Sequence, residues 1–495
     1  MLEPISISLQ ALNLPSLLPV GILIVGAIFI IVLDLVTKSG SKSFYTMLSI
    51  LFILLDLGVV IGYYGEARGM FDLVLVDGIA KISQIIVLVT SAFFLLLAMS
   101  QRRFQEFSMA EFYALFLFMI AGFQFMTISD NLILIFVGLE TASLSLYTMI
   151  AMHNRKKAFE AAIKYFTMGA LAAGFYTMGS LLFYALTGSI EIHEIANRVI
   201  LNDNLSVVAL IAATIFMIGA LGFKISIVPF HTWTPDIYEG SSAALAGYMS
   251  IVPKIAGFVV AMRLFEALLN LNVLWIENMF YILVIATMTV GNITALVQED
   301  VKRMLAYSSI AHAGFVLSAI LIGTSEANSG LFLYWILFMF TNLGAFTVLW
   351  MTRHKKNLWD ERYQHPFVKF KGLAKINPFM ATMMAFFMFS LAGVPPLSVF
   401  WGKLYLISAA VNAGFIYLAI FMALNSAIAV YYYMKLVIFM FLMEPASEEK
   451  AIFTTNATPV LKVVLAVAVA FTIFASLFID KILAFIIYHV TMSGF

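Results

Sequence analysis

Apolar runs of roughly 18 to 25 residues recur along the whole chain, separated by short polar or charged stretches. At 1.5 Å of rise per residue, each run can cross a hydrocarbon layer about 30 Å thick. Backbone groups inside such a layer find no water, so each run must satisfy them internally as a helix. Composition points the same way: of 495 residues, 63% are hydrophobic, 15% aromatic and 11% charged, with a mean hydropathy of +1.01. A soluble domain carries about 25% charged residues, and no water-soluble surface can be built from so few. The expected fold class is therefore an all-α polytopic membrane protein. The opening segment MLEPISISLQALNLPSL has no basic stretch before its apolar run and no small-residue cleavage site, so the first helix is expected to remain in the mature chain.

Several chemistries are excluded. The chain has no cysteine, so it offers no disulfide, thiolate-held metal or iron–sulfur ligand. Its formal net charge of +1 creates no field that would gather nucleic acid or anionic substrates. No P-loop, Rossmann fingerprint or H-E-x-x-H motif is present. Any chemistry must reside in the few charges that fall inside the apolar runs.

About fourteen spans are expected, near 16–36, 44–64, 80–100, 109–128, 131–152, 162–187, 206–230, 242–265, 272–297, 304–323, 328–351, 378–410, 413–443 and 457–490. The twelfth and the last are too long for straight crossings. The segment LAGVPPLSVFWGK puts a proline pair inside the twelfth, and Pro229 falls inside the seventh, so both helices are expected to be broken. Loops after odd-numbered spans carry Lys38 and Lys42, Arg102 and Arg103, Arg155 to Lys157, Lys302 and Arg303, and the segment TRHKKNLWDERYQHPFVKFKGLAK. The other loops offer little beyond Arg68 and Arg198, among acids such as Glu191, Glu194, Asp203 and Glu277. By the positive-inside rule the basic loops are cytoplasmic, and both termini face the periplasmic side of a bacterial inner membrane. These basic clusters set topology and touch lipid headgroups, and no catalytic role is assigned to them.

The chain also repeats itself. Lys224 and Lys403 lie about 180 residues apart, each beside a proline-interrupted span, and Lys254 and Lys435 are separated similarly, each inside the following span. Glu140 in span five and His312 in span ten are about 170 apart. The spacing suggests a first repeat over 106–268 (spans four to eight) and a second over 269–443 (spans nine to thirteen). Helices one to three (1–105) precede them and a last helix (444–495) follows. A shift by an odd number of spans inverts the second unit relative to the first, an arrangement found in ion transporters.

A charge at mid-membrane costs roughly 3 kcal/mol, so each one needs a partner, water or a function. Glu140 lies about ten residues into its span, with Ser143 and Tyr147 on the same helical face. It reads as a proton-carrying carboxylate, against a structural ion pair. Lys224 stands five residues before Pro229, where carbonyls freed by the proline can hold water; the alternative is snorkelling to the interface. Snorkelling hardly explains Lys254, thirteen residues into its span and preceded by Pro253, nor Lys403, beside the VPPL stretch. Lys164 could equally form an ordinary pair with Glu160, four residues earlier. His231 and His312 could shuttle protons or simply be hydrogen-bonded, and Lys435, well inside span thirteen beyond YYYM, is a further candidate for the proton path. Lysine suits a proton relay because burial lowers its pKa from about 10.4 by several units and a nearby carboxylate raises it again. At an effective dielectric of 20, moving a unit charge from about 8 Å to about 4 Å changes the interaction by roughly 2 kcal/mol. Movement of Glu140 relative to Lys224 could thus load or unload a proton.

The stretch KISIVPFHTWTPDIYEGSSAALAGYMSIVPKIAGF, with the acid in FVGLETASLSLY, resembles the antiporter-like family shared by respiratory complex I and multi-subunit cation/proton antiporters. The resemblance covers nearly the whole chain, and PFHTWTPDIYEG is its specific signature. It implies two inverted five-helix repeats and a proton path in which Glu140, Lys224, Lys254 and Lys403 match the family's central residues. Lysine rather than glutamate at Lys403, and a chain that stops shortly after its fourteenth span without a long lateral helix, resemble the N branch of the NADH:quinone oxidoreductase members. The resemblance further implies partners among the other membrane subunits, both antiporter-like and small, within a lipid bilayer. Quinone, flavin and iron–sulfur clusters are expected only in partner subunits. A subunit of a cation/proton antiporter or of a membrane-bound hydrogenase is the alternative, and neighbouring genes would distinguish them.

Overall fold

The computed structural model describes residues 12–37, 40–62, 67–100, 106–201, 206–271, 273–354, 364–445, 452–454 and 457–495. Lys38, Arg102, Arg103, Asp203 and residues 355–363 of the basic segment after the eleventh span lie outside them.

The helices are α1 (Leu14–Thr37), α2 (Lys42–Gly62), α3 (Gly78–Ala98), α4 (Ala110–Thr127), α5 (Leu132–Ala151), α6 (Lys156–Thr187), α7 (Ile192–Leu201), α8 (Val207–Ile225), α9 (Trp233–Gly240), α10 (Ala243–Leu269), α11 (Leu274–Leu296), α12 (Val301–Ile322), α13 (Ser325–Met351), α14 (Pro378–Ala392), α15 (Ser398–Asn412), α16 (Ile416–Phe441) and α17 (Pro459–Met492). Thirteen of the described helices are long and apolar enough to cross a membrane. The run over 378–410, expected as one span broken at its proline pair, is two helices of 15 residues each, α14 and α15, neither long enough to count among the thirteen. Side-chain oxygens cap many starts: Asp77 accepts from the Ala80 N–H, Asn131 from Ile133 and Leu134, and Asp300 from Lys302 and Arg303. Two short antiparallel ribbons lie between spans: β1 (Ala67–Gly69) with β2 (Val74–Val76), and β3 (Thr352–His354) with β4 (Ile452–Thr454).

Helix burial grades from centre to rim. Helices α10, α12 and α13 are almost wholly covered by protein, whereas α1, α2, α6 and α16 keep one broad apolar side uncovered, as lipid-facing helices do. Two pairs approach closely through small residues. A methyl group on Gly122 of α4 would lie 2.6 Å from the Gly138 carbonyl of α5, and one on Gly291 of α11 would lie 2.7 Å from the Ala311 nitrogen of α12. Likewise α6 packs on α8, and α13 on α15.

The sequence placed the end of span seven beyond Pro229, but α8 stops at Ile225. Ser226 adopts a left-handed conformation (φ 63°), and its N–H turns back to the Gly222 and Phe223 carbonyls, closing the helix before the proline is reached. Lys224 consequently occupies the last turn of α8 rather than the depth of a longer helix. A second irregularity had no expectation attached: within α10 the regular helix pauses at Ser250 and Ile251 and restarts at Val252, placing Pro253 in a first turn where its missing N–H costs no bond.

Candidate functional site

Among the described residues four lysines are buried. Lys302, in the first turn of α12, donates to the Glu239 (2.8 Å) and Ser241 (3.1 Å) carbonyls, and Lys224, Lys254 and Lys403 stand deeper, each where a helix ends or restarts. Lys224 Nζ donates to Ser143 Oγ of α5 at 2.9 Å and lies over the Phe123 ring at 5.4 Å. Glu140, one turn before Ser143, is within Coulombic reach of Lys224 without forming an ion pair with it. Glu140 is half-buried, and its Oε1 is enclosed with no hydrogen-bond partner. The stem of Lys224 runs against α10 at Gly257, where an added methyl group would lie 3.5 Å from Lys224 Cγ. One turn before Gly257 on the same helix is Lys254.

Lys254 Nζ donates to both the carbonyl (2.6 Å) and the hydroxyl (2.5 Å) of Ser309 on α12. Beyond it lies a chain of neutral polar groups. Ser308 hydrogen-bonds to Tyr433, Tyr433 to His312 Nε2 at 3.0 Å, and His312 Nδ1 to Tyr334. Hydroxyls give and accept protons, and an imidazole does so through its two nitrogens, so this chain can conduct in either direction. His312 stands within Coulombic reach of both Lys254 and Lys403.

Lys403 Nζ donates to the last carbonyls of α14, Leu391 (3.2 Å) and Ala392 (3.1 Å). A helix C-terminus carries partial negative charge, so it can hold an ammonium without a carboxylate. Gly393 makes this possible: its φ of +89° ends the helix, and a methyl group there would lie 3.1 Å from Lys403 Cδ. Hydroxyls on both sides of the interruption, Ser390 and Ser398, gather around Thr341 Oγ1 at 3.1 and 3.0 Å. The interruption after α8 is held comparably, by Trp233 Nε1 on the Phe223 carbonyl (2.8 Å) and Thr234 on Ser226 Oγ (2.8 Å).

The remaining sequence candidates stand apart. Lys164 bridges Glu160 (2.7 Å) and Asp236 of α9 (3.0 Å), within a surface network that also joins Arg303 to Asp236 and Glu239 and Lys157 to Glu239. Lys435 donates to the Gln298 carbonyl at 3.0 Å, just past the end of α11, over the Phe367 ring. His231 sits half-buried after the interruption, with Nδ1 enclosed and unpartnered.

Sequence reasoning passed over several buried charges. Asp56 of α2 accepts from Gln124 Nε2 at 2.5 Å, Asp77 pairs with Arg263 at 2.8 Å, and Glu266 accepts from Asn328 at 2.9 Å. Only Asp56 carried a usable signal, as an acid in mid-run; Asp77, Arg263 and Glu266 fall near span ends, where charges are ordinary. Among the described residues Glu191, His193 and Glu194 bring metal-ligand atoms together. Arg198 already holds Glu194 (2.9 Å) and Asp130 holds His193 (2.7 Å). Burial and the Asp130 carboxylate push Glu191 above the usual carboxylate range, so the group reads as a surface ion network.

Residues 129–429 match the family described as NADH:quinone oxidoreductase/Mrp antiporter, TM. The chain is similar to NADH-quinone oxidoreductase subunit N of Sulfurimonas denitrificans, 55% identical with 100% of both chains covered, and to that of Helicobacter hepaticus, 48% identical with 90% of each covered. A chain of respiratory complex I from Thermus thermophilus superposes with a TM-score of 0.78 at 28% identity, covering 94% of this chain and 99% of that one. A chain of the Mrp complex from a Dietzia species gives 0.79 at 19% identity with 97% of each covered, a likeness of fold. A matched region that contains Glu140, Lys224, Lys254, His312 and Lys403, and relatives matched from end to end, place this chain in the antiporter-like transmembrane family shared by NADH:quinone oxidoreductase and Mrp antiporters.

Proposed function

We propose that the chain is a proton-translocating membrane subunit of NADH:quinone oxidoreductase. Protons move through a row formed by Glu140, Lys224, Lys254, His312 and Lys403, while partner subunits hold the flavin, the iron–sulfur clusters and the quinone. The observation that carries this reading is the choice of partners. Lys224, Lys254 and Lys403 all donate to uncharged oxygens, whereas the partly exposed Lys157, Lys164 and Arg303 sit on carboxylates; buried Lys302 also donates to carbonyls, but in the first turn of α12 beside that surface network rather than within the row. A buried lysine on a neutral oxygen can lose its proton without stranding an anion. One in a buried ion pair cannot, because that leaves an uncompensated charge.

The two-repeat organisation, 106–268 and 269–443 between flanking segments 1–105 and 444–495, is supported by the recurrence of the close small-residue contact and of the α6 on α8 and α13 on α15 packings. The basic ends of α6 and α12 belong on the cytoplasmic side of the bacterial inner membrane, with both termini opposite. Reporters fused near Lys157 and Lys356 should be cytoplasmic, and one near Asn202 external; Lys356 and Asn202 lie outside the described residues. Two reporters of the opposing pair on one side would break this orientation.

The test of the function is Glu140→Gln in the intact complex. A unit charge about 8 Å from a lysine, at an effective dielectric of 20, is worth about 2 kcal/mol, or about thirtyfold in an equilibrium. Turnover and proton uptake into vesicles are expected to fall by about tenfold with subunit composition unchanged. Wild-type pumping by the assembled variant would remove Glu140 from the path.

A further inference from the structure

A cleft of about 790 Å³ opens between α3, α7, α10 and the chain end, on the face opposite Arg303. Arg68, Asp77, Asp130, His193, Arg263 and Glu266 line it. Most of these charges are already neutralised. Arg263 pairs with Asp77 at 2.8 Å, and Asp130 with His193 at 2.7 Å. Glu266 is the exception: it is 5% exposed, forms no ion pair among the described residues, and receives one hydrogen bond, from Asn328 Nδ2 to Oε2 at 2.9 Å.

Around Glu266 the buried polar atoms lack protein partners to an unusual degree. Glu266 Oε1, Asn328 Oδ1, Ser329 Oγ, Arg263 Nε and Asp130 Oδ1 are all enclosed without a hydrogen bond. More than nine in ten buried polar groups in native proteins are satisfied, by protein or by ordered water. A concentration of orphans beside an open polar cleft therefore marks hydrated ground. This ground lies beyond the relay, toward the C-terminal end of α12 and the N-terminal end of α13. Asn328 stands six residues before Tyr334 on α13, about 9 Å along the helix axis, and Tyr334 hydrogen-bonds to His312. The C-terminal end of α12, at Gly323, lies in the cleft wall about 16 Å beyond His312 along the same helix.

We propose that this cleft is the external outlet of the proton path and that Glu266 is its last protein acceptor. The proposal rests on the relay described above. A proton leaving the His312 and Tyr334 pair binds the free Oε1 of Glu266, and cleft water then takes it, regenerating the carboxylate with no other bond made or broken. Asn328 keeps Oε2 occupied, which leaves the enclosed Oε1 as the oxygen without a partner in the cleft wall.

The experiment is Glu266→Gln in the intact complex, with Glu266→Asp beside it. Glutamine keeps the size of the side chain and an oxygen for Asn328 but cannot carry the proton. Removing a positioned proton carrier costs about 10² to 10⁴ in a proton-transfer step, and cleft water makes up part of that. Turnover and proton uptake into vesicles are expected to fall by about tenfold in Glu266→Gln and to recover at least in part in Glu266→Asp, with subunit composition unchanged. Wild-type turnover and pumping in an assembled Glu266→Gln complex would overturn the outlet. If Glu140→Gln is impaired in the same preparation, the relay stands and the outlet alone is lost. Should Glu266→Gln fail to assemble, a water-soluble carbodiimide applied to wild-type complex from the outer face decides: modification of Glu266 supports the outlet, and an unmodified Glu266 overturns it.

Discussion

Asp77→Ala is expected to prevent stable assembly of the chain. The Asp77 carboxylate performs two tasks with one oxygen: Oδ1 accepts from Arg263 Nη2 at 2.8 Å and from the Ala80 N–H at 2.8 Å, where it caps α3. Both charged side chains are at least 96% covered. Truncating Asp77 leaves the guanidinium buried with, among the described residues, only the Thr127 carbonyl at 3.3 Å, and breaking a buried pair from one side costs about 3 to 5 kcal/mol. Loss of the cap adds about 1 kcal/mol. The total approaches the lower end of the 5 to 15 kcal/mol that holds an ordinary domain together. The measurement is the yield of intact complex and its melting temperature in detergent. The argument also predicts a rescue. Asp77→Asn combined with Arg263→Met removes both charges, so no unpaired ion remains buried, and assembly should return close to wild type. A double variant as defective as Asp77→Ala would place the damage in the cap or in packing rather than in the stranded charge.

That ion pair also shows what the sequence could and could not disclose. The spans were legible because hydrocarbon thickness imposes a minimum apolar length, and the observed ends mostly fall within a few residues of the expected ones. The clear miss, at the end of α8, arose because a proline advertises a helix end more loudly than a serine in a left-handed turn, yet Ser226 ends the helix first. Buried charges were visible where they interrupted an apolar run, as Lys254 and Lys403 do. Their partners were not, because hydrogen bonds such as Lys254 to Ser309 join distant segments through tertiary packing that no local pattern records. Asp56 was as visible as Glu140, an acid in the middle of an apolar run. Its company hid it: no lysine or proline lies nearby in α2, and its partner Gln124 is 68 residues away. Asp77, Arg263 and Glu266 were masked differently, since charges near span ends are the commonest kind and read as solvated.

Lys403→Arg separates a fixed charge from a proton carrier. Arginine keeps the positive charge and most of the length, but its pKa above 12 prevents deprotonation within a protein. If Lys403 only neutralises the C-terminal end of α14, the guanidinium does so equally well, because the Leu391 and Ala392 carbonyls at 3.2 and 3.1 Å accept from any cation. If Lys403 releases its proton in each cycle, the variant should assemble yet pump fewer protons per electron pair, and Lys403→Ala should be impaired to a similar degree. A fall of about a hundredfold in proton transfer through this chain is expected for both, the usual cost of losing a positioned proton carrier. The guanidinium is also bulkier, and Lys403 packs against Gly393 with no slack, so intact assembly has to be established before the rates are compared. Wild-type pumping by Lys403→Arg with loss in Lys403→Ala would make Lys403 an electrostatic prop for the interrupted helix, and the path through the second repeat would then have to end at His312.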